Sequence, residues 1–180
     1  LKARYAMVNH PDFEVFETMR WTPGEGFASL AAHLRRAEAS QRYFCRPFRP
    51  GAVEAALSEL APRLAADPAC RESACVKFTL AFDGGVRVEA TPPRLPDWRA
   101  TRLQVILSDC RTESDDAFLY HKTTHREFYQ RHFQAAREAG FHEVIFCNQR
   151  GELTEGAISN LFIRHGGRWL TPRLECGLLA

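Results

Sequence analysis

The spacing of apolar and polar positions predicts an alternation of strands and helices in two successive stretches. Phe13 to Trp21 has strand-forming composition, with Val15, Phe16 and Thr18, and Pro23-Gly24 with Gly26 then turns the chain. Ser29 is placed to cap a helix reaching about Phe44, with Leu30, Leu34 and Ala37 on one face. Val53, Ala56, Leu57, Leu60 and Leu64 keep helical spacing up to Ala66, although Pro62 is expected to kink or interrupt that helix. The period then changes to two. Residues 75–82 alternate, Asp83-Gly84-Gly85 turns, and residues 86–90 return, which reads as a hairpin. Residues 91–97 hold three prolines, which oppose both helix and central strand. Beyond them come an expected strand at Leu103–Leu107, a loop around Lys122 and a helix from about Arg126 to Ala139 closed by Gly140. Strands at Glu143–Asn148, Leu161–Arg164 and Trp169–Thr171 follow. The pattern predicts an α+β chain with a small α/β domain at 1–91, a proline-rich linker at 92–98 and a second domain at 99–180.

Composition narrows the function classes. A length of 180 residues accommodates one large domain or two small ones. A formal charge of +2 gives no electrostatic reason to expect nucleic acid or a membrane surface as partner. No apolar run approaches the roughly 20 residues of a membrane span. The first residues hold no apolar signal core, so a cytoplasmic location is expected, and the absence of an initiating Met points to processing or to a longer parent chain. The six cysteines form no Cys-x-x-Cys pair and are expected as reduced thiols, with Cys147 a small core residue. No His, Cys, Asp and Glu set has metal spacing, and His33 and His125 are expected as hydrogen-bonded structural residues.

The chemistry concentrates at Tyr120-His121-Lys122-Thr123-Thr124-His125-Arg126 and around Glu155 and Asn160. A primary amine crowded by apolar and hydroxyl neighbours loses proton affinity and becomes a nucleophile toward carbonyls. A carboxylate and an amide, Glu155 and Asn160, precede an apolar run. An amine and a carboxylate are the two protein groups that pyridoxal phosphate most needs.

Five segments in order resemble the class IV pyridoxal-phosphate enzymes, the D-amino acid and branched-chain type. They are Phe16-Glu17-Thr18-Met19-Arg20, His33-Leu34-Arg35-Arg36, His121 to Arg126, Asn148 to Phe162, and Leu170-Thr171-Pro172 with Gly177-Leu178-Leu179. The His-Lys-Thr-Thr-x-Arg form looks most like the aminodeoxychorismate lyases, in particular those fused to aminodeoxychorismate synthase. The resemblance implies a two-domain class IV fold with pyridoxal 5'-phosphate as cofactor, Lys122 as its covalent anchor, Arg36 on its phosphate and Glu155 facing its ring nitrogen. Asn160 is implied as a group orienting Glu155 or the cofactor, and Thr18 and Arg126 as substrate contacts, with Tyr129 and Arg20 as further pocket candidates. It also implies a homodimer, and a synthase as possible partner. The implied reaction converts 4-amino-4-deoxychorismate to 4-aminobenzoate and pyruvate. Glu127 stands five residues after Lys122, where aminotransferases of the family carry a tyrosine, which favours the lyase over an aminotransferase acting on branched-chain or D-amino acids. Family members continue past the last block through a helical region bearing another phosphate contact. Its absence here leaves open a fragment, a compensating subunit, or a non-catalytic interaction module.

Overall fold

The structure, a computed structural model, describes residues 12–93 and 102–179. The expected linker lies from residue 94 onward outside the described residues. The chain divides into two units, Leu1–Leu95 with Lys122–His125, and Pro96–His121 with Arg126–Ala180.

In the first unit, β1 (Val15–Thr22) alternates as its sequence suggests. Val15, Glu17, Met19 and Trp21 are buried while Phe16, Thr18 and Arg20 face the other side. It lies inside a four-stranded antiparallel sheet of order β2-β1-β3-β4, with β2 at Gly26–Phe27, β3 at Ala74–Leu80 and β4 at Val86–Thr91. The β3–β4 hairpin turns where expected. Gly84 takes a positive φ of 84°, and Asp83 Oδ1 accepts from Gly85 N at 2.9 Å. Helix α1 (Leu30–Tyr43) and helix α2 (Pro50–Ala66) supply the rest of the core, with Ala37, Val53, Leu57 and Leu60 packed among Val76 and Phe78.

Two local expectations change. Ser29 precedes α1 but in a left-handed conformation, and its side chain caps nothing; its carbonyl instead accepts from Ala32 N and His33 N. Pro62 does not interrupt α2. The helix runs through it to Ala66, because Leu57 and Leu60 before it and Leu64 after it are buried in one core. Burial on both sides outweighs the missing N–H.

In the second unit, β5 (Val105–Thr112) pairs parallel with β6 (Glu143–Asn148), and β6 pairs antiparallel with β7 (Leu153–Gly156). Helix α3 (Glu127–Glu138) makes the crossover between the parallel strands and packs on β6. Leu119, Tyr129, Ala136, Val144, Phe146 and Ala157 form its core. Cys147 is buried, as expected. A separate hairpin, β8 (Ile163–His165) with β9 (Arg168–Leu170), and two short 3₁₀ helices, Ala117–Tyr120 and Leu174–Cys176, complete it. Among the described residues no helix is long and apolar enough to cross a membrane.

Candidate functional site

Lys122 is held by its backbone against β1. Its carbonyl accepts from Phe16 N at 2.9 Å, and Thr123 bridges Val15 in antiparallel fashion. Thr124 completes the strip: its N–H donates to Glu14 O at 2.8 Å, and its hydroxyl accepts from Glu14 N at 2.9 Å. The half-buried Lys122 side chain puts its Nζ 4.9 Å from the centre of the Phe16 ring. A cation over an aromatic face is attracted electrostatically, so the ring gives this amine a fixed seat. Thr18 shares the Phe16 side of β1 and lies opposite Lys77 in the ladder. The buried hydroxyl of Thr123, next to Lys122 in the chain, has no hydrogen-bond partner.

The opposite face of β1 carries an ion-pair cluster. Glu17 is fully buried and accepts from Arg36 twice, from Nε and Nη2, each at 2.6 Å. His33 Nδ1 lies 2.8 Å from Glu17 Oε2. Both partners project from α1 three residues apart, and hence on one helical face. Burial alone pushes the Glu17 carboxyl upward, but hydrogen bonds from Arg36 and His33 together with their charges outweigh it, and the net direction is down. His33 is thus hydrogen-bonded, as the sequence suggested. Two of the five N–H donors of Arg36 are committed to Glu17.

The second unit holds Glu155, Arg126 and Tyr129. Glu155 lies on β7, is buried, and accepts from Leu179 N at 3.2 Å. Arg126, just before α3, donates from Nη2 to the carbonyl of Ala157, and its guanidinium lies 5.2 Å from the centre of the Tyr129 ring. Tyr129 is buried with its hydroxyl unpartnered. Burial, and then the negative charge of Glu155, push that phenol strongly upward, so Tyr129 is neutral. Burial also pushes the His121 imidazole down to about 4, which leaves it uncharged at neutral pH.

Asn160 is exposed, just past the turn that follows β7. The chain just past Glu155 is held by Glu143, a residue the sequence shows only as the start of a strand. Glu143 is buried and receives four donors, including three from residues 157–159. The signal in the sequence is only a charged residue opening a largely apolar strand.

These groups fit the chemistry of a phosphorylated aromatic aldehyde. Within the first unit, Lys122 offers a primary amine and Arg36 a charged donor fork hydrogen-bonded to Glu17; within the second, Glu155 offers a buried carboxylate. The unpartnered Thr123 hydroxyl is a further polar group awaiting a partner, since an unmade buried hydrogen bond is costly.

Comparison with known proteins agrees with this chemistry. The chain matches the profile of amino-transferase class IV over residues 14–180. Among solved structures it is similar to a candidate amino-acid aminotransferase from Mesorhizobium loti, with 31% identity and a TM-score of 0.83, covering 93% of this chain and 78% of that one. It is similar in fold to a candidate 4-amino-4-deoxychorismate lyase from Legionella pneumophila, at 16% identity and a TM-score of 0.76, covering 92% of this chain and 64% of that one. A hypothetical aminotransferase from Mycobacterium tuberculosis in its pyridoxal-phosphate-bound form shares the fold at 21% identity and a TM-score of 0.79, covering 97% and 66%. The chain therefore spans slightly less than two thirds of the last two proteins. No curated protein matches. The chain has the class IV fold and belongs to the amino-transferase class IV family, whose members depend on pyridoxal phosphate.

Proposed function

We propose that this chain acts in a pyridoxal-phosphate lyase that converts 4-amino-4-deoxychorismate to 4-aminobenzoate and pyruvate. The observation that carries the reading is the backbone-held Lys122 with its amine over Phe16, in a segment ending at Arg126 and followed by an exposed Glu127 rather than a tyrosine. Pyridoxal phosphate, when bound, supplies an aldehyde and an electron-withdrawing ring that stores the charge left when a C–H bond is broken. Lys122 provides the amine that holds it. Once released, the same amine takes the proton from the aminated ring carbon of the substrate as general base. Glu155 keeps the ring nitrogen protonated, and Arg36 holds the phosphate. Departure of the enolpyruvyl group as pyruvate leaves an aromatic product. That makes the elimination strongly downhill and leaves the protein chiefly to orient groups and move a proton. Thr18 and Arg126 contact the substrate in this reading.

The relative at 31% identity, itself a candidate amino-acid aminotransferase, favours a second reading in which the amine passes to a keto acid. Product analysis separates the two. The lyase releases pyruvate from aminodeoxychorismate without any added keto acid. Turnover that requires a keto acid, with no pyruvate from aminodeoxychorismate, would establish the aminotransferase.

A further inference from the structure

We propose that Glu143 is a positioning residue for Glu155, fixing the backbone that leaves it and thereby the carboxylate's hold on the ring nitrogen. The proposal rests on the role of Glu155 given above. Glu143 opens β6 and is 7% exposed. Its Oε1 accepts from Val144 N at 2.9 Å and Ala157 N at 3.1 Å, and its Oε2 from Ile158 N at 3.1 Å and the Ser159 hydroxyl at 2.6 Å. The β6–β7 ladder pairs residues only as far as Ile145–Gly156, and just past it Ala157 N still donates to the Val144 carbonyl at 3.1 Å. Glu143 shares the Ala157 amide with that carbonyl and adds the Ile158 amide and the Ser159 hydroxyl, while Arg126 holds the Ala157 carbonyl.

The same carboxyl accounts for the glycine next to Glu155. A Cβ at Gly156 would lie 2.7 Å from Glu143 Oε2 and 2.6 Å from Ser159 Oγ, closer than such contacts allow. Gly156 therefore admits the carboxyl that anchors its own neighbours. A buried carboxylate is tolerated only when donors satisfy it. Here three of the four donors come from the residues just past Gly156, two to four positions after Glu155.

The test uses Glu143→Gln, which keeps the shape but has one acceptor oxygen and turns an NH₂ group toward donors. In the cofactor-free protein, hydrogen exchange at the Ile158 amide is expected to quicken about tenfold, the factor given by losing one ordinary hydrogen bond, with a smaller change at Ala157, which keeps its bond to the Val144 carbonyl, and with α3 amides unchanged. After loading with pyridoxal phosphate, the pH titration of cofactor absorbance is expected to shift in the direction that Glu155→Gln shifts it. Unchanged exchange at the Ile158 amide would refute the anchoring. Faster exchange with a wild-type titration, alongside a shifted Glu155→Gln, would refute the positioning role alone. A wild-type titration in Glu155→Gln would overturn the assigned role of Glu155 and this inference with it. Should Glu143→Gln not fold, Ser159→Ala removes only the 2.6 Å bond. It is expected to give a smaller shift in the same direction, and no shift would overturn the proposal.

Discussion

Glu17 shows how much a single buried charge organises. It has no exposure, yet two arginine bonds and one histidine contact satisfy it. Replacing one member of such a pair leaves the other without its partner, and Glu17→Gln is expected to lower unfolding free energy by about 2 kcal/mol, less than for a fully buried pair because Arg36 is partly exposed. The pH dependence follows from the direction of the shift. The folded carboxyl titrates below its ordinary value of 4.5, so its contribution is full above that value and disappears as pH falls through the lower folded one. Urea-unfolding midpoints of wild type and Glu17→Gln should therefore differ at pH 6 and converge well below 4.5. A difference that persists unchanged in strong acid would refute the ion-pair account. Glu17 and Arg36 were both visible in the sequence as parts of separate motifs. Their pairing was not, because it depends on which face of β1 meets α1. Glu143 was invisible for the same reason, since three of its four donors lie 14 to 16 residues further along the chain.

The elements were most legible where periodicity was strong and local. Strand β1, the hairpin of β3 and β4, and helices α1 and α3 appear within a few residues of their expected positions. Strand β7 was not anticipated: Glu155 and Gly156 oppose strand formation, and the short segment becomes a strand by pairing with β6. Strand β5 starts two residues later than expected and runs on to Thr112, through Ser108, Asp109 and Arg111. That polar continuation hid its length, since the parallel pairing with β6 resumes beyond a register shift. Pro62 is the sharpest case of tertiary packing overriding a local rule. It is exposed on an unbroken helix and gives up one backbone bond there. Pro62→Ala is expected to raise stability by about 1–2 kcal/mol, restored helix bonding being partly offset by a freer unfolded chain. A thermal melt that moves down instead would show that the proline fits a bend the helix requires.

Each of the two units carries part of the candidate set. Lys122, Thr18 and Arg36 belong to the first, and Glu155, Arg126 and Asn160 to the second. Only the four residues Lys122–His125 leave the sequence of the second half to join the first unit, through pairing with Val15 and Glu14. The motif order in the sequence pointed to the family, and the match over residues 14–180 establishes it. The same letters could not say which strand Lys122 would lie against. Reductive trapping tests whether Lys122 is the covalent anchor for pyridoxal phosphate. The protein is incubated with pyridoxal phosphate, reduced with borohydride, digested and mapped by mass spectrometry. A single adduct on Lys122, missing from a Lys122→Ala variant that melts cooperatively, is the expected result. A cooperatively folded wild-type protein that carries no adduct, or carries it on another lysine, would contradict the account.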